Sequence, residues 1–470
     1  MSAPARARTV DTGFSRYKSV LSKPDFALLW GGQTISWFGD SLYFLSLLWL
    51  VQEMTGSRAM MGVVAACRTI PSLMGFLVGA LVDRLDKRRL MIVVSTCQAL
   101  TVASVPLLKS AGLLRAWHIP VIAFVLAVLG NFFVPARQTL IPFLVKKDEL
   151  VHANSLMTLS QQAIFIAGYG TGGLLIASLG VMPLFWIDAV SFLGVIAAIW
   201  LLKVPGLQKP DSAEGSVAGV FGRAKALRSE VLAGLEFMMK TPAIRLVMPV
   251  SILFNFLFAP FSVLLPSWVK DVLNRGPEVF GFIQTSTMAG MVLGSLAVGL
   301  LVDRVRMSRA LPASMIIMAL SVIGFASTRQ VWLALLFTGI MGTANAFTNV
   351  VFNSYIQAIV PREMMGRVWG TLGTIGQVAA PAGQALAGFL GQVVALPVLF
   401  GAEGWATTII SIGYGLAPRI REVFDSVEKS IVRSQLDVHD PVGHGAHRDL
   451  DGNRIARSLK QQGGANGGDV

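Results

Sequence analysis

The chain has 470 residues, 54% of them hydrophobic and only 14% charged, with a mean hydropathy of +0.64 and a net charge of +13. A soluble domain is nearer a quarter charged, and the apolar residues here fall in blocks of about 20, the length that crosses a bilayer core. Composition therefore excludes a soluble enzyme and points to a polytopic membrane protein.

In chain order, residues 1–25 are polar, with Arg6, Arg8, Arg16, Lys18 and Lys23, and carry no cleavable signal pattern. Six spans follow within 26–202, at 26–52, 58–82, 90–109, 117–138, 155–179 and 182–202. A connector occupies 203–242, where Leu227, Val231, Leu235 and Met238 share one helical face and predict an amphipathic helix on the membrane surface. Six more spans fill 243–417, at 243–269, 278–302, 310–328, 331–355, 367–391 and 393–417. The tail, 418–470, is polar and reads as largely disordered, so His439, His444 and His447 are expected to be solvated rather than metal ligands. Cys67 and Cys97 both fall inside spans and read as small buried residues, not a disulfide.

Charge sets the expected orientation. With a cytoplasmic N-terminus, only Arg58, Lys109, Arg115, Lys270, Arg275 and Arg329 fall outside, Arg68 lies within a span, and the rest of the 39 Lys and Arg face the cytoplasm. Both termini are then cytoplasmic, and the net charge needs no nucleic-acid partner. Most tryptophans, such as Trp30, Trp49, Trp200 and Trp332, lie near span ends, where amphipathic rings favour the interface.

One charged phrase is written twice. "GALVDRLDKRR" follows span two with Gly79, Asp83, Arg84, Arg88 and Arg89, and "GLLVDRVRMSR" follows span eight with Gly299, Asp303, Arg304 and Arg309. Each occupies the same inner loop of its six-span half, as in transporters built from two repeated bundles. The aspartates can face helix N-termini of the opposite half. Symmetry nominates Gly366 and Arg367 for Asp83, and Ala153 and Asn154 for Asp303, while the arginines suit lipid phosphates.

Ionisable groups inside spans cost roughly 2.5–3.5 kcal/mol each and ask for a reason. Asp40 and Arg68 each lie 14 positions from the inner edge of their spans, roughly 21 Å at 1.5 Å per residue, which predicts a buried pair in one cavity. Gln33, Ser36 and Tyr43 share the face of Asp40. Shifting by 220 residues puts Pro260 opposite Asp40 and Met288 opposite Arg68, so the pair is not duplicated. Asn345, Asn349 and Asn353 recur every fourth residue in span ten, either as glue between helices or as cavity lining. Asp188 and Arg137 are further candidates, although Arg137 is shallow enough to snorkel to the inner surface, and Glu278 and Glu403 are expected to be solvated near the outer one.

The duplicated Gly-x-x-x-Asp-Arg phrase resembles the signature loop of the major facilitator superfamily. "GDSLYFLSL", "CRTIPSLMGFLVGALVDR", "PARQTLIPFLVKKDELVHANSL", "AGLEFMMKTPAIRLVM" and "MMGRVWGT" resemble its bacterial exporter branch, which includes macrolide-efflux and enterobactin-exporter-like proteins. The resemblance covers about 20–417 and implies an all-α membrane fold of twelve helices in two six-helix bundles, alternating access and often proton antiport. In span five, "AGYGTGGLLIASLG" has Tyr169 where the branch's antiporter motif usually carries proline.

The reading that follows is a monomeric, proton-coupled exporter of an amphiphilic small molecule (a drug, siderophore or secondary metabolite) in the cell inner membrane, with no cofactor or metal. An importer, a lipid flippase or a membrane sensor of the same fold are the alternatives. No phosphate-binding loop for ATP is present, and outside the tail only His118 and His152 are available, too few for an intramembrane enzyme.

Overall fold

The computed structural model describes residues 13–74, 78, 81–82, 85–203, 236, 238–301, 307–360, 364–418 and 422. The described residues form helices and turns, with no strand among them. A short helix α1 (Gly13–Leu21) precedes the first span, α2 (Pro24–Thr55). Then come α3 (Arg58–Thr69), α4 (Lys87–Ser110), α5 (His118–Leu144), α6 (Leu150–Leu179) and α7 (Met182–Leu201). The second half has α8 (Pro242–Leu257) and α9 (Ala259–Ser267), which together form span seven. It continues with α10 (Pro277–Leu301), α11 (Met307–Ser327), α12 (Val331–Ile359), α13 (Met365–Val393) and α14 (Leu396–Leu416).

All twelve expected spans are thus represented, and among the described residues ten helices are long and apolar enough to cross a bilayer. The other two are the second, which turns at Ile70–Met74, and the eleventh, α13, whose glycines and glutamines lower its hydropathy.

Local sequence explains the boundaries. Gly56 ends α2 at φ 57°, in the left-handed region, with its N–H on Gln52 O, and Ser57 then caps α3 by accepting from the Met60 N–H. Asp86 caps α4 in the same way through the Arg89 N–H. Span seven is broken at Phe258 because Pro260 has no N–H to donate to Phe256 and cannot sit unstrained inside a helix. Its end, Trp268–Val272, widens into a π-turn just after Pro266.

Within the first half α2 packs on α7 and α6, and α4 on α5 and α7. Within the second, α12 packs on α10 and α11, and α14 on α11. Two seams join the halves, α3 with α13 and α6 with α10. The N-terminal segment, read as merely polar, docks: Val20 is fully buried among Phe26, Val145 and Ala153, and Glu149 takes Lys23 and Ser19. Met238, the last apolar residue of the connector pattern, is buried against Ile244, Ile356 and Val368. Leu227, Val231 and Leu235, and the histidines of the tail, lie outside the described residues.

Candidate functional site

The seams meet through glycine. A Cβ on Gly62 would stand 2.6 Å from Gln384 O and 2.9 Å from Gly388 Cα, and one on Gly173 would stand 2.6 Å from Pro277 O and 3.0 Å from Gly281 Cα. Only a missing side chain lets these backbones approach so closely. Gly281 stands 219 residues beyond Gly62, and Gly388 stands 215 beyond Gly173, so each seam is the repeat of the other. The nominated contacts of Asp83 with the start of span eleven and of Asp303 with the start of span five involve the same helix pairs, but both aspartates lie outside the described residues. The glycine contacts lie towards the end of the molecule away from α1, the outer end on the charge-based orientation.

Polar contacts close that end. Arg58 pairs with Asp271 at 2.8 Å and donates to Gly391 O at 2.7 Å. Gln392 donates to Ser57 Oγ at 2.9 Å, and the buried Ser267 donates to Gln52 Oε1 at 2.7 Å. Nearer mid-depth, Thr285 donates to Ile166 O at 3.2 Å, and the Thr69 hydroxyl lies 3.0 Å from Gln384 Oε1.

At the inner end Gly79, Asp83, Arg84, Asp303 and Arg304 lie outside the described residues. Arg88 does something other than reach lipid. Its guanidinium binds Ile199 O at 3.1 Å and Trp200 O, clamping the start of α4 to the carbonyl end of α7. Arg89 and Arg309 are exposed in the first turns of α4 and α11, Gly299 lies in the last turn of α10, and Arg367 lies in the first turn of α13.

Asp40 lines a cavity of about 230 Å³ inside the first half, with Gln33, Ser36 and Trp37 of the same helix. Four more helices complete it: α4 with Ser95 and Gln98, α5 with Phe133 and Arg137, α6 with Gln161, and α7 with Phe192. Arg137, and not Arg68, shares this cavity with Asp40. Arg137 donates to Gln33 Oε1 at 2.8 Å and stacks 5.4 Å from the Trp37 ring, and its Nε has no partner. Snorkelling is ruled out because α5 runs on to Leu144, leaving Arg137 two turns inside the helix end.

Arg68 instead lies 4.3 Å from the centre of the Phe44 ring and acts on Tyr169 and Tyr43. Its side chain is exposed. The common-depth argument fails because depth fixes height along a helix but not azimuth. Tyr43 packs edge-on to Phe185 at 5.8 Å, and its hydroxyl is buried without a partner.

Asp188 is 1% exposed on α7 and bears directly on α2: a Cβ on Gly39 would meet its Oδ1 at 2.5 Å. Ser191 lies 3.4 Å from that oxygen, and the charge of Asp40 acts on it. Gly39 thus admits a second carboxyl group beside Asp40.

In the second half Asn345, Asn349 and Asn353 line a cavity of about 190 Å³ with Phe254, Phe258, Met315 and Tyr414. Asn349 donates to Asn345 O at 2.9 Å, and the Asn345 amide reaches Met318 Sδ at 3.8 Å. The asparagines serve as glue and as lining at once. Glu403 corrects its expectation of solvation. It is 5% exposed, because the first two turns of α14 are covered by α9 and α13. The sequence carried a signal for it, since Glu403 stands 215 residues beyond Asp188, the offset that separates Gly173 from Gly388.

Residues 17–431 match the profile of a family described as transmembrane secretion effector. The multidrug efflux pump Tap of Mycolicibacterium fortuitum is 31% identical over 396 residues, spanning 82% of this chain and 93% of that protein. Macrolide efflux protein A of Streptococcus pyogenes is 23% identical over 404 residues, spanning 85% and 97%. Among solved structures, the nucleoside transporter NupG superposes with a TM-score of 0.63 at 14% identity, over 86% of this chain and 99% of that one. A bacterial homologue of the iron transporter ferroportin, in an inward-facing state, gives 0.59 at 16% identity over 84% and 99%. At these identities the two structures speak to fold alone.

Proposed function

Because the chain belongs to the transmembrane secretion effector family of major facilitator transporters, we propose that it exports an amphiphilic small molecule by alternating access, driven by protons and acting as a monomer with both termini cytoplasmic. It is a membrane transporter and not an enzyme. The observation that carries the proposal is the polar cavity inside the first half, where Asp40 and Arg137 face one another among Gln33, Ser36 and Gln161 at membrane depth. Ionisable groups held there mark transport pathways and proton relays.

Asp40 takes the role of proton carrier. Charged, it is offset by Arg137 across the cavity, and protonated, it no longer is, while Arg137 keeps its hydrogen bond to Gln33. Arg68, exposed beside Phe44, and the amide-lined cavity of Asn345 and Asn349 supply cargo contacts from both halves. The glycine seams and the Arg58–Asp271 contact close the outer end, which suits a state that loads from the cytoplasm. The duplicated inner phrases, with Asp83 and Asp303, would close the other face in the alternate state.

The names of the relatives direct the first test. Expression in a bacterial strain stripped of its own efflux pumps should lower ethidium and macrolide accumulation, and a protonophore should abolish the difference. Equal accumulation with and without the gene, across both cargoes, would remove the export reading.

A further inference from the structure

Among the described residues of the second half, Glu403 is the buried charge-bearing group that the transport pathway does not use. Both carboxyl oxygens are shut off from the surface, and no side chain among the described residues pairs with either. The Phe261 N–H, in the first turn of α9, is directed at the carboxyl group, as helix N-termini face anions. A carboxyl at this depth is complete only with a proton or a counter-cation. Beside it lies a cavity of about 230 Å³, formed by Phe256, Leu257 and Pro260 at the helix break, Leu386 and Leu390 of α13, and Ala402 of α14. Its remaining lining is apolar too, and Glu403 is the one charged group in it.

The mouth faces away from the other half. Gln384, Gly388 and Gly391 are the residues of α13 that meet α3. Leu386 stands two positions from Gln384 and from Gly388, about 200° round the helix, and is 43% exposed. Val398 and Trp405 of α14 are also open to the surroundings. On a membrane-embedded chain that perimeter is lipid. The volume falls below the roughly 300 Å³ at which sites for whole drug-sized ligands begin, so the cavity seats a head group and leaves an alkyl tail in the bilayer.

We propose that the Glu403 cavity is a lateral binding site for the cationic head of a single-tailed amphiphile arriving from the lipid phase. Charge complementarity selects the head, since the cavity offers one carboxyl group and no cationic partner for it among the described residues. Apolar walls select a quaternary or alkylated ammonium, which is weakly hydrated, over a metal ion, which would need several oxygens. The site is separate from the Asp40 cavity and stands whether or not transport is proton-coupled.

The test measures binding. The purified protein in phosphatidylglycerol nanodiscs, which bring no ammonium lipid, is titrated with radiolabelled dodecyltrimethylammonium, with empty discs subtracted. Glu403→Gln keeps the side chain's size and removes its charge, and Ala402→Trp keeps the carboxyl and fills the mouth. Both should lose one saturable site that the wild type has, with affinity at least 10-fold weaker, and dodecyl sulfate should not compete for it. An isotherm for Glu403→Gln identical to wild type would show that the carboxyl group only caps α9 or holds a proton, and the proposal fails. If that variant does not fold, Ala402→Trp decides alone: wild-type binding with the cavity filled overturns the site.

Discussion

Asp188 and Glu403 occupy matching places on the last helices of the two halves, yet their surroundings are opposite. Asp188 packs onto Gly39, has Ser191 at 3.4 Å, and shares its space with Asp40 and, through it, Arg137. Glu403 faces a broken helix and an apolar cavity, with no side-chain partner among the described residues. The seam glycines, by contrast, kept the same job in both halves. Duplication preserved what packing requires, close helix approach, while the ionisable chemistry diverged: carboxyl groups and an arginine around a polar cavity in one half, and amides plus one buried carboxyl group among the described residues of the other.

The sharpest test of the polar half is Arg137. Its bond to Gln33 is charge-assisted, a type worth about 1.5–3 kcal/mol, and Arg137→Leu also strands Asp40. A large fall in melting temperature is expected, with much of it recovered by adding Asp40→Asn. Arg68→Gln in the same cycle should add independently to Asp40→Asn, within about 0.5 kcal/mol. Coupling of Asp40 to Arg68 rather than to Arg137 would reverse the pairing described here.

Which parts were legible follows from what sequence encodes. The spans appear because apolar length is written directly in the chain, and the seams because the repeat fixes which helices correspond. The partner of Asp40 was hidden: depth along a helix says nothing about the direction a side chain faces, and a boundary drawn near 138 instead of at Leu144 put Arg137 at the surface. Asn345 and Asn349 were readable as lining because their spacing keeps one face. Glu403 looked solvated from its distance to a span end, since the cover given by α9 is a tertiary fact.

A smaller effect distinguishes the conserved packing from the divergent chemistry. Gly62→Ala and Gly173→Ala each push a Cβ into backbone of the other half, an overpacking of about 1–3 kcal/mol that bears on the closed outer end. Both should raise the accessibility of outer-half cysteines, introduced on a background lacking Cys67 and Cys97, and to similar extents because the seams are repeats. A change from only one of them would break the symmetry argument.

The smallest effect belongs to the Arg58–Asp271 pair. It is part-exposed, at 23% and 37%, and such pairs contribute about 0.2–1 kcal/mol. Asp271→Asn should shift the same accessibility readout by at most about fivefold, less in high salt. A shift larger than the glycine variants give would mean that the pair, and not the seams, holds the outer end shut.

The central claim is that the polar half carries the proton. Asp40→Asn is reconstituted in proteoliposomes, and ethidium transport is followed in one preparation, first driven by a pH gradient and then as counterflow exchange without one. The expected result is loss of gradient-driven transport with counterflow retained. Gradient-driven transport by the Asn variant at the wild-type rate would contradict the claim.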